Sequence, residues 1–317
     1  MARAALAGVC PIRKGERLFT HLIFWPWFTG VVFVLMGIIF VRREVIAAAG
    51  LEKVVVLGPA FAASGLACFG AEHMINIGPF SQAVPHWLPF HAFWIVFFGL
   101  ALFASALSLV LNKWVRLSAT LTAIMFLIFV LTLHIPGAIA SPHDRFRWTV
   151  VLRETSFAAS FLAFAGAHNP RSKPLIFIGR IGAALPYLFF AVMHILHPQN
   201  APGVPLAKLT PAWMPWPHVL ATITALFLIA AGVSILINRY ARPATAWLGL
   251  WMVVLTLILY LPIFLMSSGG MQLIEGVNYI FDTLLFAGTI LLLASALPKA
   301  RTFDRALSPA VESRVTA

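Results

Sequence analysis

The chain has 317 residues, of which 61% are hydrophobic and only 10% are charged. A soluble domain carries about 25% charged residues, so this composition excludes a water-soluble globular protein. Long continuous apolar runs favour a polytopic helical membrane protein over a β-barrel, whose strands alternate apolar and polar residues. The formal net charge of +12 is then a signal of membrane topology and of attraction to anionic lipid, and no nucleic-acid partner is expected.

Hydropathy predicts about nine spanning helices, at 18–40, 54–75, 89–111, 117–136, 148–168, 175–197, 217–238, 244–263 and 277–297. The first is an extra N-terminal helix that either spans the membrane or lies along its surface. The predicted parts are an N-terminal tail and helix at 1–50, four-helix units at 51–170 and 171–300, and a basic tail at 301–317. The expected fold is therefore all-α, with two tandem four-helix bundles and one extra helix.

An internal repeat accounts for the two units. Residues 85–136 recur at 211–262 with a constant offset of 126 positions, and 12 of these 52 positions are identical. The identities include Trp87, Asn112 and Arg116, residue types uncommon enough in apolar helices that chance similarity is the weaker interpretation. Because four helices return the chain to its starting side, the halves should be related by an axis close to the membrane normal.

Basic residues predict the orientation of the bundle. Fourteen lysines and arginines fall on one side of the predicted bundle and eight on the other. The positive-inside rule places the richer side, and with it the C-terminal tail, in the cytoplasm. Arg116 and Arg242 are expected at that boundary, and His86 and His143 at the opposite one.

Nine of the ten histidines lie on or near the non-cytoplasmic side of this arrangement. Because consecutive helices are antiparallel, Glu72, His73, His91 and His134 reach one depth from the ends of three helices. Ionisable groups inside a membrane are costly and usually face the bundle interior. We expect these four side chains to border one cavity, with Trp87 in the loop that covers it. A role in packing or at a helix end is the alternative, above all for His134.

The second half supplies a reduced version of this layer. Its secondary candidates are His194, His197, His218, Tyr260 and Asp282. Because Tyr260 stands where the first half has His134, the first half is expected to carry any chemistry and the second to be mainly structural. His194 and His197 are three positions apart and could share a metal on one helix face, or lie in an exposed loop.

Metal or haem binding is the less favoured interpretation of the first-half histidines. His73 and His134 could act as ligands of a transition metal or haem, but no spacing such as H-E-x-x-H occurs. Only Cys10 and Cys68 are present, which excludes an internal dithiol relay. Histidines that move protons beside an apolar crevice suit quinone chemistry, and they equally suit a pocket in which nothing reacts.

The loops and helix exits carry a family resemblance. Glu72-His73 lies near the end of the first helix, and Pro-x-Trp-Leu/Met-Pro loops follow at 85–89 and 211–215. The exits read His134-Ile-Pro and Tyr260-Leu-Pro. With these features, each half resembles the DoxX-like family of four-helix bacterial membrane proteins, over about 52–297.

The resemblance implies a multi-pass protein of the bacterial cytoplasmic membrane. Members are linked to thiosulfate:quinone oxidoreduction, to defence against oxidants and to assembly of periplasmic redox enzymes. The expected function is a redox-associated or quinone-interacting membrane subunit whose partners are lipid, quinone or redox-complex subunits. The alternative is a non-catalytic carrier or scaffold that binds a lipid or another small hydrophobic molecule between the halves.

Overall fold

In the computed structural model, residues 12–169, 172–203 and 207–299 are described, those from 12 to 21 by their backbone alone. Within these ranges, nine helices are long and apolar enough to cross a membrane, which confirms the predicted all-α polytopic fold. The basic tail predicted at 301–317 lies outside the described residues.

The α-helices differ in length because several spans are built from two consecutive pieces. In chain order they are α1 (Ile12–Phe40), α2 (Arg42–Ala47), α3 (Glu52–Val56), α4 (Gly58–Ile75), α5 (Ile77–Ser81), α6 (His91–Leu111), α7 (Val115–Phe129), α8 (Ile135–Ala140), α9 (Arg145–Ala167), α10 (Lys173–Leu196), α11 (Pro217–Ile237), α12 (Ala241–Leu255), α13 (Leu261–Leu265) and α14 (Gly270–Ala296). Two π-helical turns, Val130–His134 and Thr256–Tyr260, join α7 to α8 and α12 to α13.

The N-terminal helix α1 runs alongside α4. The Ser64 hydroxyl of α4 donates a hydrogen bond of 2.8 Å to the backbone carbonyl of Gly30 in α1. Further along, a Cβ added to Gly37 would lie 2.5 Å from the Cβ of Ala60, so the two backbones approach closely there. Because residue numbers rise along α1 and fall along α4 through these contacts, the helices are antiparallel. This places α1 among the spanning helices and not across their ends.

The other eight spans form one closed ring. Each span packs against the next in chain order, and α14 packs against α4 to close the ring. The fourth helices of the two predicted units, α9 and α14, also contact each other across it. Among the described residues, α4 and α9 make no direct contact, because α14 lies between them. Helix α14 of the second unit therefore lies between the first and the last spanning helix of the first unit.

Backbone features recur at the same offset of 126 as the sequence. Trp114 has a left-handed conformation with φ of 51°, and Tyr240 has one with φ of 55°. The two π-helical turns, Val130–His134 and Thr256–Tyr260, are separated by the same offset. The same backbone conformations therefore recur at matched positions of the two predicted units.

The third helix of each half extends beyond the proline at which the sequence predicts its end. The span that starts with α7 continues through the π-helical turn into α8 and ends at Ala140. Pro136 is the second residue of α8, where a missing backbone N–H is tolerated. Pro262 holds the same position in α13. The wider π turn before each proline thus keeps the span continuous.

Arg242 fixes the end of the central helix α14. Its Nη1 donates hydrogen bonds to the backbone carbonyls of Ala294 at 2.8 Å, Ser295 at 3.0 Å and Leu297 at 2.9 Å. Its Nε and Nη2 each donate to a carboxylate oxygen of Glu52 at 2.7 Å. The last carbonyls of a helix have no partner within the helix, so this buried guanidinium satisfies them and joins α12, α14 and α3.

We expect Arg242→Gln to lower the free energy of unfolding by about 2–3 kcal/mol, because it removes charge-assisted hydrogen bonds from a buried position. The matched control is Arg116→Gln, at the equivalent but exposed position of the first half, which should change stability by about 0.5 kcal/mol or less. Unfolding of both variants in one detergent measures the difference. Equal losses would show that the Arg242 contacts do not stabilise the fold.

Candidate functional site

A cavity of about 470 Å³ lies at the end of the bundle where α4 ends and α9 begins. Its wall is mostly apolar and rich in aromatic rings, with Trp94 and Phe98 from α6, Phe126 and Phe129 from α7, and Phe157 from α9. The rings of Phe98 and Phe129 meet edge to face, with centres 4.7 Å apart. The volume is that of a small-molecule site, and the lining suits a flat apolar ligand.

The segment between α4 and α6 covers one end of this cavity. Phe80 of α5 packs edge-on against the imidazole of His73, with ring centres 5.1 Å apart. Trp87 lines the cavity although its surface is 72% exposed, and so does Ile128 of α7, which is 41% exposed. The cavity therefore reaches both the covering loop and the lateral face of the bundle.

Ionisable side chains gather at one part of the wall. They are Glu72, His73, His134, Arg153, Glu154 and Asp282. They come from α4, the first π-helical turn, α9 and α14, so both halves of the chain build the cavity. The sequence places this cavity in the first bundle; Asp282 and Leu285 of α14 also line it, because α14 lies between α4 and α9.

Arg153 is the centre of the charged network. Its Nη1 donates a hydrogen bond of 2.7 Å to Asp282, and its Nη2 lies 3.8 Å from Glu154 Oε1. His134 Nε2 lies 2.9 Å from Glu154 Oε2. The angle of this last contact is poor, so Glu154 Oε2, like Arg153 Nε, has no well-aligned partner in the described part of the chain. The network keeps unused hydrogen-bonding capacity beside the cavity.

Glu72 and His73 add a carboxyl group and a free ring nitrogen. His73 Nδ1 lies 2.8 Å from the carbonyl of Phe69. A carbonyl can only accept, so Nδ1 carries the hydrogen and Nε2 keeps a lone pair. The Glu72 residue is only 9% exposed, and its carboxyl has no hydrogen-bond or ion-pair partner among the described residues. An unpaired carboxyl at this depth is costly and favours a polar or protonated neighbour.

His91 does not line the cavity, in contrast to the expectation from the sequence. It is the first residue of α6, and the part of the wall that α6 contributes begins one turn later, at Trp94. The sequence predicts a helix from 89, which would place His91 deeper. The left-handed Phe90, with φ of 58°, delays the start of the helix and leaves His91 at its end.

In the second half, His194 and Tyr260 hold a loop in place. His194 Nδ1 lies 2.6 Å from the carbonyl of Phe190, and its Nε2 accepts a hydrogen bond of 2.9 Å from the backbone N–H of Gly203. The Tyr260 hydroxyl donates one of 2.6 Å to the carbonyl of Pro202. Both side chains are buried. Both ring nitrogens of His194 are therefore occupied, which leaves none for a metal shared with His197.

The remaining histidine candidates lie at helix ends. His197 follows the last residue of α10, and partial desolvation together with the charge of Arg145 lowers its pKa below the usual value. His218 is exposed near the start of α11. In the described ranges no group of three or more His, Cys, Asp and Glu side chains is arranged to hold a metal ion. Metal ligation by His73 and His134 stays a prediction.

His134 also lines a second, open pocket of about 320 Å³ with Asp144, Phe146 and Arg147. Its side chain is 27% exposed, against 12% for Glu154. His134 ends the first π-helical turn, a feature that is frequent at functional sites. This residue was a candidate from its depth alone; its place between a buried cavity and an open pocket was not foreseeable from the sequence.

One protein family matches part of the chain. Residues 62–155 match the family described as Domain of unknown function (DUF8561). This stretch runs from α4 into α9 and contains Glu72, His134 and Glu154, but not Asp282. No curated protein and no solved structure matches the chain.

The different bonding of the two buried histidines predicts different effects on stability. His194→Leu leaves the N–H of Gly203 without an acceptor, so it should lower the free energy of unfolding by about 1–3 kcal/mol more than His73→Leu does. Thermal unfolding of the two variants in the same detergent gives the comparison. An equal or larger loss for His73→Leu would contradict the structural role of His194.

Proposed function

We propose that the chain is a redox-associated membrane subunit that binds a quinone or a similar flat amphiphilic molecule in the cavity and exchanges protons with it. The observation that carries the proposal is an aromatic cavity of about 470 Å³ with six ionisable side chains on one part of its wall. A ring held between Trp94, Phe98 and Phe129 would place its polar substituents toward Arg153 and Glu72. Interconversion of quinone and hydroquinone moves two protons together with two electrons, which a partner redox subunit would supply or take up, so the site needs groups that accept and supply protons.

The charges of the site suit proton exchange. Three carboxyl groups and one guanidinium leave an excess of acid, and two imidazoles flank them. Each imidazole has one ring nitrogen that can accept a proton. A proton that passes from a carboxyl group to an imidazole inside the cluster leaves the total charge unchanged, which limits the electrostatic cost inside a membrane.

His134 is the proposed proton exit of this site. It is within 2.9 Å of Glu154 on the cavity side and lines the open pocket beside Asp144 and Arg147. A proton accepted from the Glu154 carboxyl at Nε2 can leave the ring to water in that pocket. Transfer through the ring requires that Nε2 align with Glu154 Oε2 and that Nδ1 give up its hydrogen to the water of the open pocket.

The family resemblance and the repeat supply the wider proposal. The likeness of each half to DoxX-like proteins supports a redox association in a bacterial cytoplasmic membrane, with quinone or redox-complex subunits as partners. The recurrence of backbone features at an offset of 126 supports two related units at 51–170 and 171–300. The division of basic residues supports a cytoplasmic C-terminus.

A second candidate function is a carrier for a small hydrophobic molecule. It is favoured by the opening of the cavity toward the lateral face at Ile128, through which a molecule dissolved in lipid can enter. In this alternative the ionisable side chains only orient a polar group, and no proton crosses the site.

Filling the cavity should block binding. Ala83 lines the cavity from the covering loop and is exposed, so we expect Ala83→Trp to weaken binding of a short-chain prenylated benzoquinone at least about tenfold, or about 1.4 kcal/mol. Gln82→Trp, on the adjacent exposed residue that does not line the cavity, is the matched control and should stay within about twofold. Titration in lipid nanodiscs, followed by tryptophan fluorescence, measures both.

The outcomes separate the two candidates. Quinone binding that is insensitive to Ala83→Trp would place the quinone elsewhere and contradict the proposal. Absence of quinone binding, together with a copurified single-chain lipid that is lost in Ala83→Trp, would favour the carrier.

Removing His134 should slow proton exchange without changing its extent. After a rapid pH jump in nanodiscs, the fluorescence of Trp87 and Trp94 reports protonation of the cavity, and His134→Ala should slow this response about tenfold or more at an unchanged amplitude. Added imidazole should restore the rate, because it can occupy the space left in the open pocket. His143→Ala, an exposed residue that lines neither pocket, is the control.

A wild-type rate in His134→Ala would remove its role as the exit. A slow rate that imidazole does not restore would mean that His134 acts through packing alone. Replacing Trp87 and Trp94 by phenylalanine should abolish the fluorescence response to the pH jump, which would verify that the response comes from these two residues.

A further inference from the structure

We propose that a groove at the opposite end of the bundle from the cavity binds the phosphate headgroup of an anionic phospholipid. This groove, the Arg116 groove, has a volume of about 820 Å³ and lies where α6 ends, α7 begins and α9 ends. The residues that matter for the argument are Asn112, Trp114, Arg116, Leu117, Thr120 and His168. The proposal is independent of the ligand of the cavity.

Arg116 in this groove and its counterpart in the second half, Arg242, differ in burial and in their hydrogen-bond partners. Arg242, 126 positions after Arg116, is buried and gives its hydrogen bonds to Glu52 and to the end of α14. Arg116 is exposed, and its guanidinium has no ion-pair or hydrogen-bond partner among the described residues.

The polar groups of the groove suit an anion. His168 Nδ1 lies 2.9 Å from the carbonyl of Phe164, so Nδ1 carries the hydrogen and Nε2 keeps a lone pair. A protonated Nε2 can donate a hydrogen bond to a phosphate oxygen. Arg116 can donate two parallel hydrogen bonds to the same phosphate. Among the described residues no carboxylate lines the groove, so the charge of Arg116 has no counter-ion there until an anion binds.

The apolar groups point to a lipid as the source of that anion. Trp114 is 83% exposed and Leu117 is 61% exposed, at the ends of the spanning helices where headgroups meet acyl chains. Tryptophan favours this depth of a membrane. A phosphate carried by a phospholipid satisfies both the cationic and the apolar parts of the groove, whereas free phosphate satisfies only the first.

Native mass spectrometry of the full chain tests this proposal with phosphatidylglycerol and phosphatidylcholine of identical acyl chains. We expect the wild type to bind one phosphatidylglycerol at least about tenfold more tightly than phosphatidylcholine, and Arg116→Gln to remove this preference. The control is Arg239→Gln, an exposed arginine at the same depth of the second half, which instead packs over Tyr240 at 5.5 Å. This variant should keep the preference.

Four results would overturn the proposal. The wild type could show no preference for phosphatidylglycerol, or Arg116→Gln could retain it. Equal losses in Arg116→Gln and Arg239→Gln would indicate general attraction between surface charge and lipid. Displacement of phosphatidylglycerol by millimolar inorganic phosphate would identify a free anion as the ligand. Arg116 is exposed, and its guanidinium has no partner among the described residues. Its replacement should therefore leave folding intact, and the unfolding midpoint of the variant should equal that of the wild type.

Discussion

The ion pair between Arg153 and Asp282 is the contact on which the arrangement of the halves depends. The two groups lie 2.7 Å apart, with side chains only 19% and 8% exposed. In the interior of a membrane either charge alone would be very costly, so α9 and α14 can be buried only together. The two residues are 129 positions apart, as are Phe157 and Phe286, whose rings lie 6.1 Å from each other. Contacts between α9 and α14 therefore join residues 129 positions apart at two successive levels of these helices.

Close approach of α14 to α4 brings Asp282 within reach of Arg153. A Cβ added to Gly65 would lie 2.5 Å from the Cβ of Leu285, and Gly288 faces the backbone of Ala62 just as closely. Small residues at such crossings allow helices to pack tightly where no hydrophobic effect drives their association. The result is a cavity wall in which a cation from one half meets carboxyl groups from both.

The sequence was sufficient to predict the spanning helices and the level of the bundle at which the main candidate residues lie. Continuous hydropathy identifies each span, and antiparallel connection alone requires Glu72, His73 and His134 to approach one end of the bundle. Limits appear where polar residues interrupt the apolar run. Helix α14 begins at Gly270, whereas hydropathy predicts a start near 277. The prediction misses the first two turns because Gln272 and the neighbouring polar residues lower their hydropathy.

What hydropathy could not supply is which side chains meet across the ring. Asp282 was a secondary candidate of the second half, and its pairing with Arg153 depends on α14 lying between α4 and α9. Insertion of one helix between two others leaves no mark in composition or periodicity. The same is true of His134, whose contact with Glu154 depends on the wider π turn and not on its position in the repeat.

The two halves differ in the hydrogen-bond partner of Nε2 on one buried histidine. His73 and His194 each give Nδ1 to the carbonyl four residues earlier, so only Nε2 can differ. In the second half it is taken by Gly203, whose φ of 118° suits glycine, and a Cβ there would lie 3.2 Å from the Tyr260 hydroxyl. The loop can enter only because it carries glycine at this point, and its entry fills the space that the first half leaves open. Among the described residues, Nε2 of His73 and the Glu72 carboxyl therefore have no partner, which is what remains when no loop closes the corresponding layer.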